Sequence, residues 1–237
     1  MTPQELESRL LYRDGLMLIL DKPAGLAVHA GPSGGENLRD FLGGLQFGNA
    51  QPPDLAHRLD RDTSGCLVLG RNRKALSKLG RLFSAGQVRK VYWAVVVGRP
   101  PADEGTIDLP LSKQNRKTGW NMRVDPKGQP SQTAYRRIGS GDGLSWLSLE
   151  PKTGRTHQLR VHLAAIGCPI LGDPVYGGDA TRAARYTLHL HAREIRVPLY
   201  PRRTPVKAVA EVPEHMKVQM RLCGWKDGPR GEVEPAA

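Results

Sequence analysis

The apolar run Cys66-Leu67-Val68-Leu69, closed by Gly70, constrains the fold more than any other stretch of this chain. A short uninterrupted apolar run that ends in glycine reads as a buried strand. The charged segment just before it, His57-Arg58-Leu59-Asp60-Arg61-Asp62-Thr63-Ser64-Gly65, is then a turn or loop delivered to the edge of a sheet. Such a segment is rigid on one side and open on the other. It holds two arginines and two carboxylates, more charge than a purely structural loop needs. The plainer alternative is a solvated turn in which Asp62 caps backbone amides. Asp60, with arginines at positions 58 and 61, fits that alternative less well than Asp62.

The rest of the chain reads as mixed α and β. A short helical start and the turn Tyr12-Arg13-Asp14-Gly15 lead into a strand over Leu16 to Leu20. Gly31-Pro32-Ser33-Gly34-Gly35 lacks the Gly-Lys-Ser/Thr ending of a phosphate cradle and reads as a flexible loop. Asn37 to Leu45 suits a short helix. Asn72 is an expected N-cap, after which Ala75, Leu76, Leu79, Leu82 and Phe83 recur at helical spacing until Gly86. Strands are expected over Val91 to Val97, near Asn121 to Val124 and Thr133 to Ile138, and over Leu144 to Glu150. Leu159, His162, Leu163 and Ile166 give the apolar face of a helix that Thr156 caps and Gly167 ends, with Arg160, His157 and Ala164 on the opposite, outward side. There Arg160 can reach a carboxylate across a cleft. After a Gly172 to Gly178 loop, Tyr186 to Ala192 and Glu194 to Val197 read as paired strands.

Charge narrows the partner. The formal net charge is +12 and the pI about 10.0. Between Arg71 and Lys90 there are seven Lys or Arg and no acid, which gives the helix there a basic outer face. A polyanion is implied, nucleic acid first, with an anionic membrane surface or plain solubility as the other readings. The chain has no run of the roughly 18 apolar residues that a span requires and no signal pattern at Met1-Thr2-Pro3-Gln4-Glu5-Leu6, so a cytoplasmic protein without a membrane is expected. Cys66, Cys168 and Cys223 encode neither a disulfide framework nor a zinc ribbon.

The histidines do not form a metal set by spacing. His157 and His162 fall about 140° apart on a helix, and His189 with His191 lack a third ligand nearby. Ser64 has no nucleophile elbow around it, which disfavours a serine hydrolase.

Five stretches carry a resemblance. The nonapeptide His57 to Gly65, Leu20-Asp21-Lys22-Pro23-Ala24-Gly25-Leu26-Ala27-Val28-His29, Arg89-Lys90-Val91-Tyr92-Trp93-Ala94, Thr153-Gly154-Arg155-Thr156-His157-Gln158-Leu159-Arg160-Val161-His162 and Leu188-His189-Leu190-His191-Ala192 resemble, in order, the motifs of RluA-type pseudouridine synthases. The resemblance implies an α+β fold with a mixed, mainly antiparallel central sheet flanked by helices and a central active-site cleft. A catalytic domain is expected over residues 1–224, in two closely joined halves, while the Gly, Pro and charge of residues 225–237 read as a flexible tail. The resemblance implies isomerisation of uridine to pseudouridine in structured RNA, ribosomal or transfer, with base flipping and no cofactor or metal.

By the same resemblance Asp60 is the catalytic carboxylate, Arg160 its cationic partner, Tyr92 the ring that stacks on the uracil, and Arg58 the side chain that fills the vacated stack. His57, Arg61, Lys90, Arg155 and His157 are expected RNA contacts. The expected state is a monomer with no obligatory protein partner. The rival readings are a non-catalytic basic RNA-binding protein or chaperone, and a metal-dependent phosphodiesterase using Asp60, Asp62 and histidines.

Overall fold

The computed structural model describes residues 1–30, 34–116, 119–178 and 186–226, with the side chains at 116, 119 and 120 excepted. The expectation of a fraying tail falls almost wholly outside these residues, as does most of the Gly31 to Gly35 loop.

Helix α1 (Pro3–Glu7) starts from a capping box between Thr2 and Glu5. It is followed by β1 (Leu10–Arg13), β2 (Met17–Lys22), a 3₁₀ helix (Leu38–Leu45), the short β3 (Asp54–Leu55) and β4 (Ser64–Gly70). Then come α2 (Arg73–Ser84), β5 (Arg89–Val97), β6 (Glu104–Asp108), β7 (Leu111–Arg116), β8 (Gly119–Val124), β9 (Gln132–Gly141) and β10 (Leu144–Pro151). The chain continues through α3 (Gln158–Ala165), β11 (Leu190–Val197), β12 (Val206–Val209) and α4 (Glu214–Leu222).

One sheet runs β1-β2-β4-β11-β5-β10-β9-β6, with β12 added to β11 and β3 to β4, while β7 and β8 make a separate hairpin. Every pairing between these strands is antiparallel except β4 with β11. The sheet is therefore mixed and mainly antiparallel.

All seven residues of β4 are buried, because both faces of the strand are covered. Leu67 and Leu69 pack with Leu18 and Leu20 under Leu38, Leu42 and Leu45 of the 3₁₀ helix. Cys66 and Val68, pointing the other way, pack with Met17, Ile19 and Leu79 of α2. A strand covered on both faces loses its polar alternation, which is why its sequence is one apolar block. Helices α3 and α4 cover the other wing. Leu159 and Leu163 lie on Ala94, Val96, Leu147 and Leu149, and Met216 and Met220 on Trp93, Val95 and Trp146.

The two wings meet where β4 and β11 run parallel, at the pairs Ser64 with His191 and Gly65 with Ala192. The approach leaves no room for a side chain. A Cβ on Gly65, which has φ +103°, would stand 2.3 Å from the Ala192 carbonyl oxygen. Ser64 Oγ and His191 Nδ1 are hydrogen-bonded at 2.9 Å across the same seam.

Helix ends followed sequence rules in three places. Asn72 Oδ1 accepts the Ala75 N–H at 2.9 Å. Gly86 (φ +67°) and Gly167 (φ +76°) sit at the left-handed C′ positions, with Gln87 N–H to Leu82 O and Cys168 N–H to Leu163 O closing Schellman turns.

Two expectations need correction. Tyr186 to Ala192 and Glu194 to Val197 do not pair with one another: residues 190–197 run on as one strand, which pairs with β4, β5 and β12. Nothing at Arg193 supplies a turn, and β12, four residues long and directly after the Pro198 to Pro205 connector, is too short to announce itself. Nor does Thr156 cap α3. His157 occupies the cap position with left-handed φ +54° and no capping side-chain bond, and the preceding loop is fastened instead by Gln158.

Candidate active site

The segment before β4 is held by a buried lysine. Lys22 Nζ donates to the carbonyls of Pro23 (2.7 Å), Leu26 (2.9 Å) and Arg61 (2.9 Å). The Gly25 N–H donates to the same Arg61 oxygen at 3.0 Å. Burial, against the pull of Asp62, Asp60 and Asp21, brings the Lys22 ammonium down to about 8. His57 also serves the frame. Its Nε2 accepts the Val68 N–H at 3.0 Å and its ring stacks on Phe83 with centroids 4.4 Å apart. Burial pushes its pKa down to about 3, so the ring is neutral.

With its neighbours fixed, Asp60 turns into a cleft of about 770 Å³. The walls come from His57 to Asp60, the end of α2 and start of β5 (Phe83 to Tyr92), and Glu150 to Arg160. The carboxylate is neither sealed nor free, its side chain being 20% exposed. Arg160 Nη1 lies 3.5 Å from Asp60 Oδ2, and His157 Nε2 lies 3.8 Å from the same oxygen.

Arg160 is not on an outward face. Its side chain is 5% exposed, because the loop after α3 closes over it. The buried guanidinium makes a fork to Asp173, with Nε to Oδ2 at 2.7 Å and Nη2 to Oδ1 at 2.8 Å. Asp173 is fully buried. Burial alone raises its pKa, but the Arg160 bonds and charge, with the Val175 and Tyr176 amides on Oδ1, bring the net shift below the ordinary value. Arg160, desolvated but flanked by carboxylates, is held above its usual value. Asp173 thus aims the cation that faces Asp60.

Tyr92 on β5 packs between the two core clusters and lines the cleft. Burial and the Asp60 charge raise its phenol pKa, so the ring stays neutral. Arg58 and Arg61 are exposed, with Arg61 Nε donating to Gly25 O at 3.1 Å. Lys90, lowered by burial, and Arg155, which donates to Pro130 O at 3.3 Å, line the far end of the cleft. The loop carrying Arg155 is tied down by Gln158, whose Oε1 accepts from Thr153 Oγ1 (2.7 Å) and Arg155 N–H (3.0 Å) while Nε2 donates to Gln132 O (2.9 Å).

Asp173, Tyr176 and Lys22 were not singled out in the sequence. A signal for Asp173 existed: an arginine buried on an apolar helix demands a carboxylate, and Asp173 follows the apolar pair Ile170-Leu171 after a single glycine. Among the described residues no group of three or more His, Cys, Asp or Glu is arranged to hold a metal ion, and Asp60 with Asp62 and the histidines makes no such set. No helix among them is long and apolar enough to cross a membrane. The site offers a carboxylate beside a fixed cation, an aromatic ring and a basic rim.

Comparison with known proteins gives the same direction. A family model described as RNA pseudouridylate synthase matches residues 16–165. An uncharacterized RNA pseudouridine synthase of Zymomonas mobilis is 44% identical over 212 residues, covering 88% of this chain and 95% of that protein. Ribosomal large subunit pseudouridine synthase C of Vibrio parahaemolyticus is 37% identical over 204 residues, covering 81% of this chain and 62% of that one. Among solved structures, human RNA pseudouridylate synthase domain containing 4 superposes with a TM-score of 0.77 at 29% identity, over 92% of this chain and 95% of that one.

Proposed function

Because the chain belongs to the RNA pseudouridylate synthase family and is an RNA pseudouridine synthase, an isomerase of uridine in RNA, we propose that Asp60 is the carboxylate that reacts with the target nucleotide. Isomerisation breaks the bond from ribose C1′ to base N1, turns the base, and rejoins C1′ to C5. The sugar carbon gains oxocarbenium character on the way, and an adjacent carboxylate stabilises it, as in glycoside hydrolysis. Attack at C1′ and removal of the C2′ proton draw on the same ionised oxygen in the same place. The observation that carries the reading is the Arg160 guanidinium 3.5 Å from an Asp60 carboxylate that opens into the cleft.

The target base has to leave its stack to reach Asp60, at a cost of a few kcal/mol. Arg58, exposed at the cleft, is suited to fill the vacancy, and Tyr92 to stack on the extruded uracil. Arg61, Lys90, Arg155 and His157 are assigned to the RNA around it. His57, with Nε2 and one ring face already engaged, contributes chiefly by holding the loop.

Relatives whose names specify an RNA include large-subunit ribosomal enzymes of Vibrio and Xanthomonas, so large-subunit ribosomal RNA is the first substrate to examine, with transfer RNA second. We take residues 1–224 as one catalytic unit in two joined halves, acting as a cytoplasmic monomer without an obligatory protein partner. Light scattering of the purified protein tests the monomer.

Pseudouridine maps of cellular RNA with and without the protein should differ at one or a few uridines. Asp60→Asn should restore none of them while still binding RNA. An unchanged map, or an active Asp60→Asn protein, overturns the assignment; a chaperone would be indifferent to that substitution.

A further inference from the structure

Tyr176 contacts Asp173, Arg160 and His157, the residues grouped around Asp60. It lies in the loop that carries Asp173, and its amide is held by Asp173 Oδ1 at 3.0 Å. Its ring lies 5.2 Å from the Arg160 guanidinium carbon and meets the His157 ring edge-on at 5.7 Å. Its hydroxyl oxygen accepts the Met122 N–H of β8 at 2.9 Å and sits 2.8 Å from His157 Nδ1. The β7–β8 hairpin carries Lys113 and Arg123 at exposed positions, which makes it a surface that RNA would pull on.

We propose that Tyr176 is a positioning residue that ties the seating of the β7–β8 hairpin to the orientation of His157 and Arg160 around Asp60. The phenol oxygen takes the Met122 N–H, and its own hydrogen is donated to His157 Nδ1. The imidazole then keeps its hydrogen on Nε2, the atom 3.8 Å from Asp60 Oδ2. A hairpin moved by bound RNA carries Met122 with it, and Tyr176 passes that displacement to the ring and the guanidinium it contacts. Movement of the hairpin is thereby read at the reacting carboxylate. The inference rests on Asp60 being that carboxylate.

Tyr176→Phe keeps the ring and removes the hydroxyl. Single-turnover isomerisation is measured on total RNA from cells lacking the protein, at increasing enzyme concentration. The limiting rate should fall about tenfold while the half-saturating concentration stays within about twofold. Hydrogen exchange at residues 119–124 should quicken in the same variant. His157→Ala should slow the reaction, and in His157→Ala with Tyr176→Phe the two losses should combine to less than their product, since the hydroxyl acts in part through the imidazole.

A Tyr176→Phe protein with the normal limiting rate overturns the proposal, and so do losses that multiply in the double variant. Unchanged exchange in the hairpin removes the coupling to β8. Should Tyr176→Phe melt well below the parent, its lost rate is structural and the proposal falls. An active Asp60→Asn protein would instead sink the assignment of the carboxylate, so the two failures are separable.

Discussion

At the scale of single residues, the site turns on one guanidinium placed between two carboxylates of unequal claim. Arg160 gives Asp173 the fork and Asp60 a longer, single contact. Arg160→Met should therefore cost about 3–5 kcal/mol in urea unfolding, because it strands a buried Asp173, whereas Asp60→Asn at the open cleft should cost little. Equal stability of Arg160→Met and the parent would mean that Asp173 does not depend on it. His191 supplies a pH test. Burial brings its pKa down to about 3 from 6.5, so below pH 6.5 the unfolded chain takes up a proton that the folded chain refuses. Stability is full above 6.5 and is lost as pH falls towards 3, with a slope approaching about 1.4 kcal/mol per pH unit. His191→Asn should remove its share of that slope and leave the share of His57, which burial also brings down to about 3, in denaturant titrations run from pH 7 to 4. The resemblance pointed to Asp60, Arg160 and Tyr92, and they do line one cleft; Asp173 and Tyr176 escaped because both sit in a glycine-rich stretch that reads only as a loop.

Elements were legible in proportion to how local their causes are. β4, α2 and the end of α3 announce themselves through an apolar block, an Asn cap and two glycines, all within a few residues of the structure they specify. α3 was placed correctly but faced wrongly, since the burial of Arg160 depends on a loop more than ten residues later. β6 has a single large apolar residue and β12 is only four residues long, and both exist because a neighbouring strand offers an edge, which no window on the chain reveals. Gly65 is the position where an element tolerates least. Gly65→Ala would push a methyl group into the Ala192 carbonyl and strain a φ of +103°, so a loss of more than about 3 kcal/mol, or failure to fold, is expected in urea titration. A stable Gly65→Ala protein would show that the β4–β11 seam can widen.

Across the whole molecule, the net charge of +12 makes association with RNA a matter of released counterions, and affinity should fall steeply with salt. Arg73, Lys74 and Arg81 are exposed on α2, whose last residues line the cleft. Replacing Lys74 and Arg81 by Gln should lower the slope of log affinity against log salt by up to about 2 if both meet phosphates, and leave it unchanged if they face only solvent. The fold has a further consequence, in the order of events by which the chain gains activity. Asp60 and Arg160 are 100 residues apart and belong to opposite wings. They come together only when β4 finds β11, the pairing that has to close the longest loop of chain. After dilution from denaturant, secondary structure should return first and turnover only with that last encounter, which would make the enzyme's own reaction the clock for its slowest step.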